Sequence, residues 1–140
     1  MTLTVHAGCI AIGGRGVLMS GASGRGKSDL ALRLIDRGAR LVSDDYTMLR
    51  VVAERLIASA PPAIAGRIEI RGVGLAGIEP LPEAAVCLLI DLDARPERLP
   101  EPRVATFLRL SVPALALDAL EASAAIKVEM ALGLFGMPPA

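Results

Sequence analysis

A chain of 140 residues, 53% hydrophobic and 21% charged, has the composition of a globular protein with a sizeable core rather than of a disordered segment. Lys+Arg and Asp+Glu number 15 each, for a formal net charge of zero, and aromatic residues make up 2%. The charge balance excludes a strongly basic nucleic-acid footprint, the scarcity of aromatics excludes platforms for stacked bases, and the length fits one domain, residues 1–140.

The N-terminal residues Met1-Thr2-Leu3-Thr4-Val5-His6 have no basic stretch leading into a long apolar one, so no signal peptide is expected. Residues 2–12 alternate loosely and predict a strand ending at Gly13-Gly14-Arg15-Gly16, a turn signal. Residues 16–20 then return as the second arm of a hairpin. His6, the one histidine of the chain, reads from pattern alone as a surface residue at a strand start.

Gly21-Ala22-Ser23-Gly24-Arg25-Gly26-Lys27-Ser28 follows, between that strand and a helix start, and fits G-x-x-x-x-G-K-[ST], the Walker A or P-loop pattern. Glycines at 21, 24 and 26 let main-chain N–H groups turn inward around an anion where a Cβ would obstruct them. The first N–H groups of the helix lack carbonyl partners and carry the positive end of its dipole, which suits phosphate. Lys27 is expected to reach the β- and γ-phosphates of ATP, and Ser28 to place its hydroxyl on Mg²⁺. The helix runs to about residue 37, with Leu30, Ala31, Leu34 and Ile35 on one face and Gly38 beyond its end. Asp29 in the first turn and Arg33 and Arg37 toward the end suit the dipole. Residues 39–43 return as a strand, giving a βαβ unit with parallel strands and a right-handed crossover.

Asp44-Asp45 ends that strand. Ligands of open α/β sheets gather at the carboxyl ends of strands, so the aspartates and the P-loop can face one crevice. One acid could hold Mg²⁺ and the other take a proton from an incoming hydroxyl. The competing reading is a turn with both carboxylates on backbone N–H groups. Thr47–Val52 and residues 55–58 predict a second hairpin around Ala53-Glu54, and residues 60–62 and Gly66 a loop. Residues 67–77 begin as a short strand with Glu69 and Arg71 on one face, then become a glycine-rich loop able to approach a ligand. Taken alone, Glu69 and Arg71 read as a solvated strand edge.

Val86-Cys87-Leu88-Leu89-Ile90-Asp91 is a buried strand ending in an acid, superficially a Walker B strand, which makes Asp91 a competitor for the metal role. The longest apolar stretch, residues 84–90, is too short to span a bilayer. Cys9 and Cys87 lie in apolar runs and read as buried free thiols of a reducing compartment. A soluble cytoplasmic protein with neither membrane nor nucleic acid as partner is expected. Residues 93–103 form a charged, proline-rich loop of a length enriched in function. Residues 104–112 read as a strand stopped by Pro113, and about 118–134 as a helix with Leu120, Ala124, Val128 and Ala131 on one stripe. The tail, residues 136–140, cannot continue it.

Together these pieces resemble the catalytic domain of the bacterial HPr kinase/phosphorylase family. The resemblance rests on His6, the P-loop and the spacing from Lys27-Ser28 to Asp44-Asp45. It also rests on Arg37-Gly38-Ala39-Arg40-Leu41-Val42-Ser43-Asp44-Asp45, similar to the family's R-G-H-R-L-V-A-D-D, and on Glu69-Ile70-Arg71-Gly72-Val73-Gly74, its signature E-I-R-G-x-G. It is good over residues 5–78 and weak beyond. It implies an α/β fold, a P-loop-containing single domain with a mixed central β-sheet flanked by helices. It implies a Mg²⁺-dependent protein-serine kinase moving the ATP γ-phosphate to the phosphocarrier protein HPr, in a bacterial phosphotransferase system. Lys27 and the rest of the loop would grip the phosphates, and Ser28 and Glu69 would bind Mg²⁺. Asp45, with Asp44 close by, would supply the base. His6 would belong to the active site, Arg71 to the region tied to catalysis, and Arg98, in Glu97-Arg98-Leu99-Pro100, would match a catalytic arginine.

Two departures stand out. Longer members carry an additional N-terminal domain, for which 140 residues leave no room, so a short form is expected. Where those members read V-P-V-R-P-G-R-N, linked to dephosphorylation, residues 112–118 keep Val112-Pro113 and lose both arginines, which counts against phosphorylase activity. Family members are typically hexamers, which implies a homo-oligomer here. Two other classes of function compete: a small-molecule kinase or NTPase using Asp91, and a nucleotide-binding sensor without catalysis.

Overall fold

The computed structural model describes residues 1–140. In chain order it has β1 (Thr2–Val5), β2 (Ala7–Ile12), β3 (Arg15–Ser20), α1 (Lys27–Asp36), β4 (Arg40–Ser43), β5 (Thr47–Val52) and β6 (Arg55–Ser59). A 3-10 turn at Pro62–Ile64 leads to β7 (Arg67–Ile70), β8 (Gly74–Gly77), β9 (Glu83–Asp91), β10 (Arg103–Phe107), β11 (Leu110–Ala116) and α2 (Ala124–Phe135).

β9 is the axis of the sheet. Residues 84–90 are all buried, with no alternation, because the strand is covered on both faces. One edge pairs in parallel with β3 along residues 85–91. The other edge is shared: β6 pairs antiparallel with its beginning and β11 in parallel with its end. The resulting nine-stranded mixed sheet runs β1-β5-β6-β9-β3-β2-β4, with the β10–β11 hairpin branching from β9. β7 and β8 form a separate two-stranded hairpin.

Both helices lie on one face. Leu30, Ala31 and Leu34 of α1 and Ala124, Val128 and Ala131 of α2 join Ile10, Val17, Leu41 and Leu88 in one core. The opposite face holds a second core with no helical residue, built on Cys9, Leu18, Leu49, Leu56, Val86 and Val112. The sheet closes this core by curling: β5 approaches β2, where the buried Thr47 Oγ1 donates to Ala7 O at 2.7 Å. No helix is long and apolar enough to cross a membrane.

The architecture meets the expectation of a mixed sheet with helices, and four local expectations are corrected. Residues 2–12 are two strands broken at His6, because β1 pairs with β5 while β2 pairs with β3 and β4. β3 and β4 do point the same way, but antiparallel β2 lies between them, so the βαβ strands are not neighbours. Residues 104–112 are not one strand: the chain reverses at Leu108-Arg109, with φ of 50° and 70°. Pro113 lies within β11, opposite Val104, at a position where pairing to β9 has not yet begun and a missing N–H is tolerated. α2 starts at Ala124; residues 118–123 form a loop instead.

Candidate active site

Three strand ends build the site. β3 runs into the glycine-rich loop, β4 into Asp44-Asp45, and β7 carries Glu69 across the start of α1. Gly24 and Gly26 both take φ of 87°, a left-handed conformation that turns the loop into the helix. A Cβ on Gly26 would also stand 3.3 Å from the Ala119 Cβ. No side chain caps α1, so its first N–H groups face the loop's concavity without a protein acceptor of that kind. On the outer side of the loop, Ala22 N donates to both carboxylate oxygens of Asp93 at 3.0 Å, and Arg25 Nε is 3.2 Å from the same group.

Lys27 is almost wholly buried, and its ammonium donates to Gly21 O at 2.6 Å and Ala22 O at 3.3 Å. It also stands 3.7 Å from Asp45 Oδ1. Ser28 Oγ donates to Asp44 Oδ1 at 2.7 Å, while Asp44 Oδ2 accepts the backbone N–H of Glu69 at 3.0 Å. Asp44 thereby joins α1, β4 and β7. Asp45 has φ of 64°, which aspartate tolerates better than most residues, and this turns its side chain away from that of Asp44. Its Oδ1 lies 2.9 Å from His6 Nε2. The His6 ring stacks on Tyr46, with centroids 4.9 Å apart and planes 26° apart.

These groups surround a cleft of about 500 Å³ lined by the loop, by Ser28, Asp44, Asp45, Glu69 and Arg71, and by three apolar side chains, Leu32, Ile70 and Leu120. No three His, Cys, Asp or Glu side chains form a protein-only metal cage. Mg²⁺ ordinarily takes one or two carboxylates and completes its shell with water and substrate phosphate. The donors at hand are all hard oxygens: Ser28 Oγ, whose proton points to Asp44 and whose lone pairs remain free, and the carboxylates of Asp44 and Glu69. That set fits Mg²⁺.

The structure thus brings together Lys27, Ser28, Asp44, Asp45, Glu69 and Arg71, with His6 behind Asp45. Arg98 is not brought in: it is exposed in the loop between β9 and β10, outside the cleft lining. Asp91 is turned to its own loop, its Oδ1 accepting the backbone N–H groups of Asp93 at 2.9 Å and Ala94 at 3.0 Å. Sequence reasoning missed Tyr46, the one tyrosine of the chain and adjacent to the aspartate pair, and it missed Asp93 and Leu120. The length of the 93–103 loop was the only signal for Asp93. Neither expected thiol faces the cleft; burial pushes the Cys9 thiol up to about 12.

Residues 1–82 match the family model described as HPr Serine kinase C-terminal domain. The chain is 45% identical over 80 residues to an HPr kinase/phosphorylase of Caldanaerobacter subterraneus subsp. tengcongensis, covering 56% of this chain and 26% of that protein. It is 42% identical over 100 residues to the HPr kinase/phosphorylase of Geobacillus thermodenitrificans, covering 66% and 32%. The chain therefore spans about a quarter to a third of the length of these relatives. A solved structure of the Hpr(Ser) kinase/phosphatase from Coxiella burnetii superposes with a TM-score of 0.80 at 29% identity, covering 94% of this chain and 95% of that one. With the match extending over residues 1–82 of 140 and the fold agreeing along nearly the whole chain, this protein belongs to the HPr serine kinase C-terminal domain family.

Proposed function

We propose that residues 1–140 form one catalytic domain that transfers the γ-phosphate of ATP to a serine of an HPr-like phosphocarrier protein, with Mg²⁺ as cofactor. The observation that carries the reading is the convergence on one cleft of a glycine-rich helix N-terminus, Lys27, and acids from two other segments, Asp44-Asp45 and Glu69. Phosphoryl transfer asks the protein mainly for positioning and charge stabilisation, and this inventory supplies both.

The backbone N–H groups of Gly24 and of residues 26–28, with the Lys27 ammonium, hold the triphosphate. Ser28, Asp44 and Glu69 would hold Mg²⁺, which when bound would supply neutralisation of the phosphate charge. Asp45 accepts the proton of the substrate serine as its oxygen bonds to the γ-phosphorus and the bond to ADP breaks. His6 orients the Asp45 carboxylate through the 2.9 Å contact, and Tyr46 holds the His6 ring by stacking. Arg71, exposed on the rim of the cleft, meets the transferring group or the incoming protein. The two arginines absent from residues 112–118 leave a separate dephosphorylating reaction without its expected side chains.

The small-molecule NTPase reading needs Asp91 at the phosphates, and the engagement of that carboxylate with its own loop counts against it. A homo-oligomer is part of the proposal. It is supported by α2, which beyond its buried face, and beside Lys127 and Glu129, presents Ile126, Met130 and Leu134, four residues apart and 48%, 61% and 72% exposed. The test is incubation with γ-labelled ATP, Mg²⁺ and the HPr-like protein of the same cell. Label on a serine of that protein supports the proposal; label released only as free phosphate contradicts it.

A further inference from the structure

We infer that Leu120, on the loop between β11 and α2, is the apolar wall against which the nucleoside end of the bound nucleotide lies, so that it sets nucleotide affinity. The inference rests on the proposal that the glycine-rich loop holds a triphosphate.

It starts from sidedness. Across the sheet the parallel strands run in the order β11, β9, β3, with β2 and β4 beyond β3. The phosphate loop leaves β3. The acids proposed to act on the terminal phosphorus leave β4, on one side of it. A triphosphate whose outer phosphorus faces Asp45 must therefore carry its nucleoside toward the other side, over the ends of β9 and β11. Crevices outside the carboxyl ends of such strands are where ligands of α/β sheets lie. The loop leaving β11 there carries Leu120.

The side chain is placed for contact. Leu120 lines the cleft, and its Cδ2 lies 3.5 Å from where a Cβ on Gly26 would be. It is nevertheless 75% exposed. The backbone holds it there: Arg33 of α1 donates from Nη1 to Glu121 O at 3.1 Å and from Nη2 to Ala119 O. Leu120 N donates to Asp118 Oδ1 at 2.9 Å, and Leu117 N ties the loop to Asp91 O at 3.1 Å. Four hydrogen bonds fix the loop while an apolar side chain at its centre stays in water at the mouth of a polar cleft. A flat, largely apolar base or ribose face is the ligand part that would cover it, burying apolar surface on both.

The test measures dissociation constants of Mg²⁺·ATP and Mg²⁺·tripolyphosphate for wild type, Leu120→Ala and Leu120→Met by calorimetry. The expected result is that Leu120→Ala weakens ATP about tenfold and tripolyphosphate less than about twofold, while Leu120→Met binds both like wild type. Equal weakening of both ligands, or ATP affinity unchanged in Leu120→Ala, overturns the assignment while leaving the phosphate site standing. If wild type binds neither ligand, the phosphate site itself fails and the assignment with it. Because the side chain is largely exposed, unchanged thermal unfolding of Leu120→Ala is expected; a large loss would mark Leu120 as a packing residue and also overturn the assignment.

Discussion

Asp44 has both carboxylate oxygens engaged, one by the Ser28 hydroxyl at 2.7 Å and one by the Glu69 backbone N–H at 3.0 Å, whereas Asp45 is half-exposed and meets His6 and Lys27. Two adjacent residues of one type thus carry different burdens. Asp44→Ala leaves a hydroxyl and an N–H without their acceptor and is expected to cost about 1–3 kcal/mol of stability. Asp45→Asn, which keeps a residue type that tolerates φ of 64°, is expected to cost less than about 0.5 kcal/mol, as for a surface site. Urea unfolding of the two variants checks this; equal losses would contradict it. The sequence alone implies that the two acids point apart, because successive side chains at a strand end diverge. It could not foresee the Asp44 link to Glu69, which lies 25 residues away and depends on where β7 crosses α1. Tyr46 was invisible for a related reason: stacking on His6 exists only once β2 and the turn after β4 are side by side.

Turns decided how much of the element pattern could be read. Gly13-Gly14, with φ of 57° and 80°, announced its hairpin because glycine is the ordinary residue there. Ala53-Glu54 takes the same conformation without glycine, φ 49° and 63°. Leu108-Arg109 also lacks glycine and sits amid apolar residues, so β10 and β11 looked like one strand. Relieving the left-handed strain at an exposed turn is expected to help: Glu54→Gly should raise stability by about 0.5–1 kcal/mol, and unchanged or lower stability in urea would contradict this. Gly16 gives the opposite case. A Cβ there would stand 2.8 Å from the Ala85 backbone oxygen, beside the register shift between β3 and β9. Gly16→Val is therefore expected to destabilise by about 1–3 kcal/mol, measured as a lower urea midpoint with the slope unchanged.

At the scale of the whole molecule, helices cover one face of the sheet and the sheet's own curl covers the other, giving two cores that meet across β9. The fold class could be read from the alternation of strands with one strong helix, but not the curl, which depends on pairings between strands far apart in sequence. The resemblance ends near residue 78 and the family match at 82, so the rest of the molecule, residues 83–140 with β11, Leu120 and α2, is placed by the structure. The outward stripe on α2 leads to an expected association above one subunit by light scattering, weakened toward monomer by Met130→Glu with Leu134→Glu; a wild-type monomer at all concentrations would contradict it. The central claim is that Asp45, not Asp91, acts on a triphosphate held at residues 21–28. The measurement that tests it most directly is the rate of phosphate transfer to the HPr-like protein by Asp45→Asn and Asp91→Asn, each at saturating Mg²⁺·ATP. The account predicts a loss of about 10²–10⁴-fold for Asp45→Asn with ATP still bound, and a near-wild-type rate for Asp91→Asn. The reverse pattern would contradict it.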